Sequence, residues 1–291
     1  MATYRIGCGQ ITWRDVPDEQ VLAEIAQAGY EGAPPKLTPD IPATAVIARL
    51  EAHGLKPAPP YFGAPFWEPD EERGILDQAP AIARWARQLG CTELYVAAGG
   101  GGPQAPSGKN RRAVAGHVGP EDAMTEQELD QFARVLSEFA HLTHREGVTT
   151  CFHNHVGTVI ETADELDGLL ARADDEVVYL GLDTGHLAWA GADPVEVCRR
   201  YADRIRTLHL KDVDESVRQL GVAEQWNYDT FVRNGIFAEL GEGNVDFPGI
   251  LAVLESVDFE GWLIVETDVT QKPTALESAT ISRDYLRTLG L

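Results

Sequence analysis

Residues 177–186 read Val-Val-Tyr-Leu-Gly-Leu-Asp-Thr-Gly-His, a short apolar run that is followed at once by polar side chains. The run Val177–Leu182 has the length and the β-branched and aromatic content of a buried parallel strand. Asp183 comes directly after it, so the predicted strand carries a carboxylate at its carboxyl end. This pairing of a buried strand with a terminal polar group recurs along the chain and indicates the fold.

Three further apolar runs have the same form: Val148–Phe152, Ile205–Leu208 and Trp262–Val265. His209 directly follows Ile205–Leu208, and Glu266 directly follows Trp262–Val265. Glu161 lies beyond Val148–Phe152, and His153 or His155 is the alternative ligand there. Functional groups gathered from the carboxyl ends of several parallel strands are how a (β/α)8 barrel builds its site. Carboxylates and imidazoles that converge there would bind a divalent cation.

The whole chain alternates strand and helix patterns, and the helices tend to end at glycine, as C-caps require. The other predicted strands are Tyr4–Gly9, Tyr30–Ala33, Leu55–Tyr61 and Glu93–Ala97. Eight strands without hairpin signals favour a closed parallel barrel, a (β/α)8 TIM barrel of the α/β class, over a doubly wound open sheet. The open sheet also lacks its GxGxxG turn after the first strand. We expect one domain over residues 1–291.

The composition excludes several classes of partner. Lys and Arg number 24 against 46 Asp and Glu, a formal net charge of −22, which disfavours nucleic acid and anionic membrane surfaces. Apolar runs fall short of the ~18 residues of a membrane span, and Met1–Arg5 lead into a strand without a signal-peptide pattern. A cytoplasmic location is therefore expected. The four cysteines have no CxxC spacing and are predicted to be buried thiols.

Two connections are too long for plain linkers and follow predicted strands. The loop 98–120 contains four consecutive glycines and the basic residues Lys109, Arg111 and Arg112, whereas the loop 214–245 is rich in aromatic residues. The glycine run is not a phosphate loop, because no GKS or GKT follows it. Both loops are predicted to lie over the C-terminal face of the barrel as a lid, with an oligomer contact or an incidental loop as alternatives.

Several polar residues beside the predicted ligands are candidates for catalysis. His153 and His155 are two apart, so both would point to one face of an extended segment, and His186 would face the same cavity. Lys211 alternates with leucines beside His209, and partly desolvated next to a cation it is predicted to have a lowered pKa and to act as a base or an acid. The structural alternatives are an N-cap role for Asp183 and a core histidine at 209.

Aromatic residues near strand ends are predicted to form the wall of a substrate pocket, although such residues are about as often mere packing. They are Trp13, Phe62, Phe66 and Trp67. Glu242, in the turn-rich loop 239–247, is a further candidate for substrate binding, with a solvated surface position as the alternative.

Five motifs together resemble the xylose-isomerase-like superfamily of sugar isomerases and epimerases, and most closely its inosose dehydratase branch. The resemblance covers essentially the whole chain, and the motifs span His153–Thr162, Asp183–His186 with Ala190–Pro194, His209–Asp212, Gly241–Phe247 and Gly261–Glu266. The resemblance implies a Mn²⁺-type cation, with Co²⁺, Mg²⁺ or Zn²⁺ as alternatives. Asp183, His209 and Glu266 match the superfamily's ligands, and His153 stands where its first glutamate is found, so His153 or Glu161 completes the set. Ala33-Pro34-Pro35 replaces a segment where many relatives have a glutamate.

The chemistry expected of such a site is enolisation. A cation polarises an α-hydroxyketone, and a base removes the adjacent proton to give a metal-stabilised enediolate. Expulsion of a β-hydroxyl would make the chain a metal-dependent lyase acting on a keto-cyclitol or 3-keto sugar such as 2-keto-myo-inositol. The alternative is a sugar isomerase or epimerase. A hydrolase of the endonuclease IV type and an inactive binding barrel are the other classes. The expected partner is a small neutral carbohydrate, and a homodimer or homotetramer is anticipated.

Overall fold

Nine parallel strand segments form the central sheet of the computed structural model, which describes residues 2–99 and 107–291. The strands are β1 Thr3–Cys8, β2 Gly32–Ala33, β3 Lys56–Pro57, β4 Tyr61–Ala64, β5 Glu93–Ala98, β6 Thr149–His153, β7 Val178–Asp183, β8 Ile205–Leu210 and β11 Glu260–Val265, while β9 Asp212–Val213 and β10 Phe237–Ala238 form a separate antiparallel pair. The order in the sheet is β3-β2-β1-β11-β8-β7-β6-β5-β4.

The two ends of this sheet are parts of one predicted strand. β3 pairs with β2 and β4 pairs with β5, and only residues 58–60 separate β3 from β4 along the chain. Pro59 and Pro60 lie in that gap, where each removes a backbone donor from the ladder. The sheet is therefore closed, and the predicted TIM barrel is confirmed, with the third strand interrupted by prolines.

Helices surround the barrel in the alternation that the sequence indicates. They are α1 Asp18–Ala28, α2 Ala43–Glu51, α3 Glu72–Gln88, α4 Glu126–Arg145, α5 Ala163–Leu170, α6 Thr184–Trp189, α7 Pro194–Arg200, α8 Glu215–Ala223, α9 Tyr228–Arg233, α10 Phe247–Ser256 and α11 Ala275–Thr288. Gly29 ends α1 at φ 90°, as its C-cap position requires. Thr162 and Glu165 form the predicted capping box of α5. Within the described ranges, none of these helices combines the length and hydropathy needed to span a bilayer.

The barrel interior is a core separate from the layer between strands and helices. It contains Ala58, Tyr95, Trp262 and Ile264, all buried. The Thr207 hydroxyl donates to the Trp262 carbonyl (2.9 Å) and lies 2.5 Å from the Tyr95 hydroxyl, which therefore donates to it. This layer of side chains fills the barrel below the carboxyl ends of the strands.

The two long loops meet each other beside that end of the barrel. The His117 Nε2 atom lies 2.9 Å from the Trp226 carbonyl oxygen, and Arg112 donates to Asp229 (2.7 Å). The Arg112 guanidinium also lies 3.9 Å above the Tyr228 ring. Residues 100–106, which include most of the glycine run, lie outside the described residues. The described parts of the two loops therefore pack against each other, and their role as a lid stays a prediction.

Candidate active site

The carboxyl ends of neighbouring strands bring three predicted side chains together. His153 ends β6, Asp183 ends β7, and His209 is opposite Asp183 in the β7–β8 ladder. The Nε2 atom of His153 lies 4.0 Å from Asp183 Oδ2, and the Nδ1 atom of His209 lies 3.8 Å from the same oxygen. Glu266 follows β11, and its Oε2 atom is 3.1 Å from His209 Nδ1. Ligand atoms of His153, Asp183 and His209 therefore all lie within 4.8 Å of one another, and Glu266 adjoins this group through His209.

This arrangement fits a single divalent cation. Two atoms bound to one cation at ~2.1 Å each are at most ~4.2 Å apart. Asp183 lies 4.0 Å from His153 and 3.8 Å from His209, and Glu266 lies 3.1 Å from His209. Asp183 Oδ2 is buried and accepts no hydrogen bond from the described residues, although its other oxygen does. A buried carboxylate oxygen left in this state is typical of a ligand atom. His153, Asp183, His209 and Glu266 would hold the cation.

Asp183 is fixed in place by its own backbone and its neighbours. Its Oδ1 atom accepts from the His186 N–H (2.9 Å), so it is the N-cap of α6 as well as a potential ligand. The Asn154 side-chain amide donates to the Asp183 carbonyl (3.2 Å) and accepts from the Asp183 N–H (3.0 Å). The two interpretations of this aspartate are therefore compatible, because each oxygen has a separate role.

The tautomer of His153 suits ligation. Its Nδ1 atom lies 3.0 Å from the Gly181 carbonyl, to which it donates, so Nε2 keeps a free lone pair toward Asp183. Burial, reinforced by the neighbouring His209, lowers the pKa of His153 well below its ordinary value. The tyrosine rings of Tyr61 and Tyr95 contact it edge-on, at 5.3 and 5.7 Å between centroids. A neutral, oriented imidazole is the form that binds a cation.

Lys211 lies among carboxylates, whose charges oppose the effect of burial on its pKa. Its Nζ atom is 3.3 Å from Asp183, 3.6 Å from Glu266 and 2.5 Å from Asp268. Burial alone would favour the neutral amine, but these charges raise the pKa of Lys211 well above its ordinary value. Lys211 is therefore an ammonium group that carries a proton in this arrangement of charges, and the lowered pKa expected of it beside a cation stays a prediction.

Of the remaining two histidines, His155 lines the cavity, and His186 is buried behind it, outside the lining residues. The ring centroids of His155 and His186 are 3.7 Å apart. Burial, followed by the charge of Lys211, lowers the pKa of His155 to about 4, and burial lowers the pKa of His186 well below its ordinary value. The Nδ1 atom of His155 donates to the Val156 carbonyl (2.7 Å), so Nε2 carries the lone pair. His155 is therefore a neutral imidazole with a free acceptor atom.

These groups line a cavity of about 320 Å³ at the carboxyl end of the barrel. Its wall consists of Ile11, Pro34, Pro59, Tyr61, Tyr95, His153, His155, His209, Lys211, Glu266 and Asp268. Pro34 belongs to the Ala33–Pro35 segment, where many relatives have a glutamate, so this segment still contributes to the wall. Its carbonyl accepts a hydrogen bond from the Gln10 side chain (2.7 Å). The cavity combines charged groups with tyrosine rings, as small-ligand sites do.

The aromatic residues predicted to wall the pocket lie elsewhere. Phe62 and Phe66 pack against Phe139, at 5.1 and 5.8 Å between ring centroids, in the layer between the strands and α4. Trp67 stacks on Phe132 and borders a separate surface cleft, and Trp13 donates to Glu24 (2.6 Å). For Phe62 the period of two along β4 is the reason, since it turns Tyr61 inward and Phe62 outward.

Glu242 is also placed away from the cavity. Its carboxylate pairs with Lys272 (2.6 Å) at the surface, and 45% of its side chain is exposed. The Asp212 carboxylate accepts from the backbone N–H groups of Gly241 and Gly243 and fixes the loop in this conformation. Glu242 therefore lies outside the cavity, in the solvated surface position that was expected as the alternative.

Glu161 does not lie with the potential ligands His153, Asp183 and His209, and its carboxylate connects two loops instead. One carboxylate oxygen accepts from the Gly116 N–H (2.7 Å), and the other accepts from the Gly157 N–H (2.7 Å). Burial raises the pKa of Glu161 to about 7, and Arg111 opposes that shift. The choice that the sequence left open therefore falls on His153, because both oxygens of Glu161 already have backbone partners.

Burial of Glu161 makes stability depend on pH near neutrality. A carboxyl group whose pKa rises from 4.5 to about 7 on folding stabilises the protein fully below pH 4.5, and that contribution is lost as pH rises through 7. Relative to Glu161→Gln, the wild-type free energy of unfolding should fall by up to about 3 kcal/mol between pH 4.5 and 8, at about 1.4 kcal/mol per pKa unit. Urea unfolding at each pH measures it.

The control for this experiment is Glu242→Gln, which changes an exposed glutamate and should give no pH-dependent difference from wild type. A wild-type advantage over Glu161→Gln that grows as pH rises would contradict the prediction. It would mean that the two backbone N–H donors hold Glu161 as a carboxylate.

Three residues of the site were not predicted. Asp268 is two residues after Glu266, and the period of two beyond β11 was the available signal. Tyr61 and Tyr95 were hidden because each lies inside a run of apolar residues, where inward and outward faces look alike. Strand register, rather than residue type, decides which aromatic ring reaches the cavity.

Comparison with known proteins places the chain in a family. Residues 22–289 match the family described as xylose isomerase-like TIM barrel. An inosose dehydratase of Geobacillus kaustophilus is 33% identical over 96% of this chain and 92% of its own, and a rhizopine catabolism protein of Rhizobium meliloti is 30% identical over 97% and 86%. The structure of an L-ribulose 3-epimerase superposes with a TM-score of 0.72 at 18% identity, covering 98% of this chain and 94% of that one. The chain belongs to the xylose isomerase-like TIM barrel family.

Proposed function

We propose that this protein is a divalent-metal-dependent dehydratase, a carbon–oxygen lyase that acts on a keto-cyclitol, with 2-keto-myo-inositol as the substrate. The observation that carries the proposal is the arrangement of one cavity, where a set of cation ligands faces a buried ammonium group and a neutral imidazole. The full-length similarity to proteins named inosose dehydratase supports this choice of reaction and substrate.

The ligand set supports Mn²⁺ as the cation, because two imidazoles and two carboxylates suit a metal between the hard and soft extremes. Co²⁺, Mg²⁺ and Zn²⁺ are the alternatives. When bound, the cation would polarise the substrate carbonyl and make the adjacent C–H more acidic. His153, Asp183, His209 and Glu266 would hold it.

His155 is the proposed base. It lines the cavity, it is neutral, and its Nδ1–H···O=C bond to Val156 leaves Nε2 free to accept the proton from the substrate carbon. The electron pair of that C–H bond forms the new carbon–carbon double bond as the β-hydroxyl leaves. His186 lies against the His155 ring and keeps it in position.

Lys211 is the proposed acid. Its ammonium group lines the cavity and is held by Asp268, so it can protonate the departing hydroxyl, which leaves as water. The proton that His155 has taken then passes through solvent to Lys211, so both residues return to their starting protonation states. Substrate therefore gives the dehydrated ketone and one water, with no net change in the protein.

Incubation of the Mn²⁺-loaded protein with 2-keto-myo-inositol in D₂O, followed by removal of the metal and proton NMR, tests the proposal. The expected result is loss of water from the substrate, abolished by a chelator and by Glu266→Ala. Deuterium exchange without elimination would replace the dehydratase with an epimerase or isomerase. No reaction of either kind would exclude this substrate, and 3-keto glycosides would be tested next.

The proposal includes a small neutral carbohydrate as the partner rather than nucleic acid or a membrane, in agreement with the net charge of −22. A cytoplasmic location and assembly as a homodimer or homotetramer remain predictions.

A further inference from the structure

A second group of potential metal ligands lies beside the first. His155, His186 and Asp268 offer ligand atoms that all lie within 4.8 Å of one another. The Lys211 Nζ atom lies among them, 2.5 Å from Asp268 Oδ1 and 3.2 Å from His186 Nε2. The Lys211 and Asp268 residues are 1% and 3% exposed, so this ion pair is shielded from solvent. The second group therefore surrounds a positive charge that belongs to the chain itself.

Asp183 borders both groups. Its Oδ2 atom lies 4.0 Å from His153 Nε2 in the first group and 3.9 Å from His186 Nε2 in the second. The same oxygen is 3.3 Å from Lys211 Nζ. A carboxylate between two cation positions is the arrangement of two-metal sites, whose ions lie ~3.5–4 Å apart.

The backbone makes room for the lysine at this place. A Cβ atom on Gly185 would lie 2.6 Å from Lys211 Cγ, so a glycine is needed where α6 passes the lysine stem. The Thr184 hydroxyl donates to the Lys211 carbonyl (2.9 Å) and accepts from the Lys211 N–H (3.0 Å). Lys211 is thus held at both its backbone and its ammonium group.

We propose that the Lys211 ammonium occupies the position of a second divalent cation, so that this protein binds one cation where its donor groups would otherwise bind two. The inference rests on the proposed metal centre for the first cation. A buried cluster of carboxylates needs compensating charge, and an ammonium provides it without a second ion. Two adjacent cations are the arrangement of many hydrolytic enzymes. An ammonium group instead carries a proton that it can give to a leaving hydroxyl, which favours elimination.

Replacement of Lys211 by alanine tests the inference by counting cations. Wild type and Lys211→Ala are purified in Mn²⁺, freed of excess ion by gel filtration, and analysed for bound manganese per chain. The variant should bind one more Mn²⁺ than the wild type. Electron paramagnetic resonance should show an exchange-coupled Mn²⁺ pair in the variant and an isolated ion in the wild type.

Two further variants serve as controls for the number of bound manganese ions per chain. Lys211→Ser opens the same space with a different small side chain and should also gain one ion, so it provides a second variant if the alanine variant does not fold. Lys272→Ala removes a lysine that pairs with Glu239 and Glu242 away from the cavity, so its count should equal that of wild type.

The outcomes separate this inference from the proposed function. No gain of manganese in either Lys211 variant, or two ions in the wild type, would overturn the inference. A wild type without manganese, together with one ion in the Lys211 variants, would keep the inference and remove the proposed metal centre. Zero ions in every variant would overturn both.

Discussion

Asp183→Asn should abolish cation binding and lower kcat/KM by at least about 10³-fold, equivalent to about 4 kcal/mol of transition-state stabilisation. Asp183 Oδ2 lies within 4.0 Å of ring nitrogens on both His153 and His209, and it accepts no hydrogen bond from the described chain. An asparagine keeps the shape and the N-cap of α6 but lacks the charge that a cation needs. Steady-state kinetics and manganese analysis would measure both losses.

Asp193→Asn is the matched control, since Asp193 is the N-cap of α7 and accepts from Val195 and Glu196 at the surface. This variant should bind manganese and turn over like the wild type. Asp193→Asn should also unfold at a urea concentration similar to that of the wild type, because asparagine and aspartate are comparable N-caps. Full cation binding by Asp183→Asn would show that the metal centre is elsewhere.

Arg111→Met should lower the free energy of unfolding by about 3 kcal/mol, within the range for breaking one side of a buried ion pair. The Arg111 side chain is 2% exposed and donates to both oxygens of Glu165, at 2.6 and 2.8 Å, and to the Asp122 carbonyl. Methionine fills a similar volume but leaves the Glu165 carboxylate without its cation. Urea denaturation followed by circular dichroism is the measurement.

Arg112→Met provides the comparison at the adjacent position. The Arg112 side chain is 48% exposed, and its ion pair with Asp229 is at the surface, where such pairs contribute about 0–1 kcal/mol. A loss equal to that of Arg111→Met would contradict the prediction, because it would show that the described loop depends equally on exposed and buried charges.

The barrel could be predicted because the carboxyl ends of its strands are visible in the sequence. A buried parallel strand is an apolar run with a polar residue directly after it, and Asp183, His209 and Glu266 each have that position. The interruption of the third strand was less visible, although Pro59 and Pro60 were the signal. Sequence pattern therefore locates the elements well and their irregularities less well.

The inward-facing residues could be predicted only where a polar residue marks the face. His153 and Lys211 were named because an imidazole or ammonium is conspicuous in an apolar strand. Tyr61 and Phe62 are chemically similar neighbours, and only the register of β4 against β5 shows which of them reaches the cavity. Such a register depends on pairing between distant segments, which a single sequence does not display.

The direction of the Lys211 pKa shift could not be predicted for a related reason. Burial was foreseeable from the alternation with leucines, and burial alone lowers a lysine pKa. The opposing charges are Asp183, which ends β7 28 residues before Lys211, Glu266, which follows β11 55 residues after it, and Asp268 just beyond. The net effect of these charges on the lysine depends on how the fold brings the strands together, which the sequence alone does not show.

The layer formed by Tyr95, Thr207 and Trp262 has a consequence for traffic through the site. Because it fills the barrel beneath the cavity, the described residues leave the carboxyl end as the route by which molecules enter and leave. Substrate, product and any water formed from the substrate must share that opening. A product bound at the opening blocks the exit of a water molecule behind it, so the closed floor of the barrel makes product release precede water release.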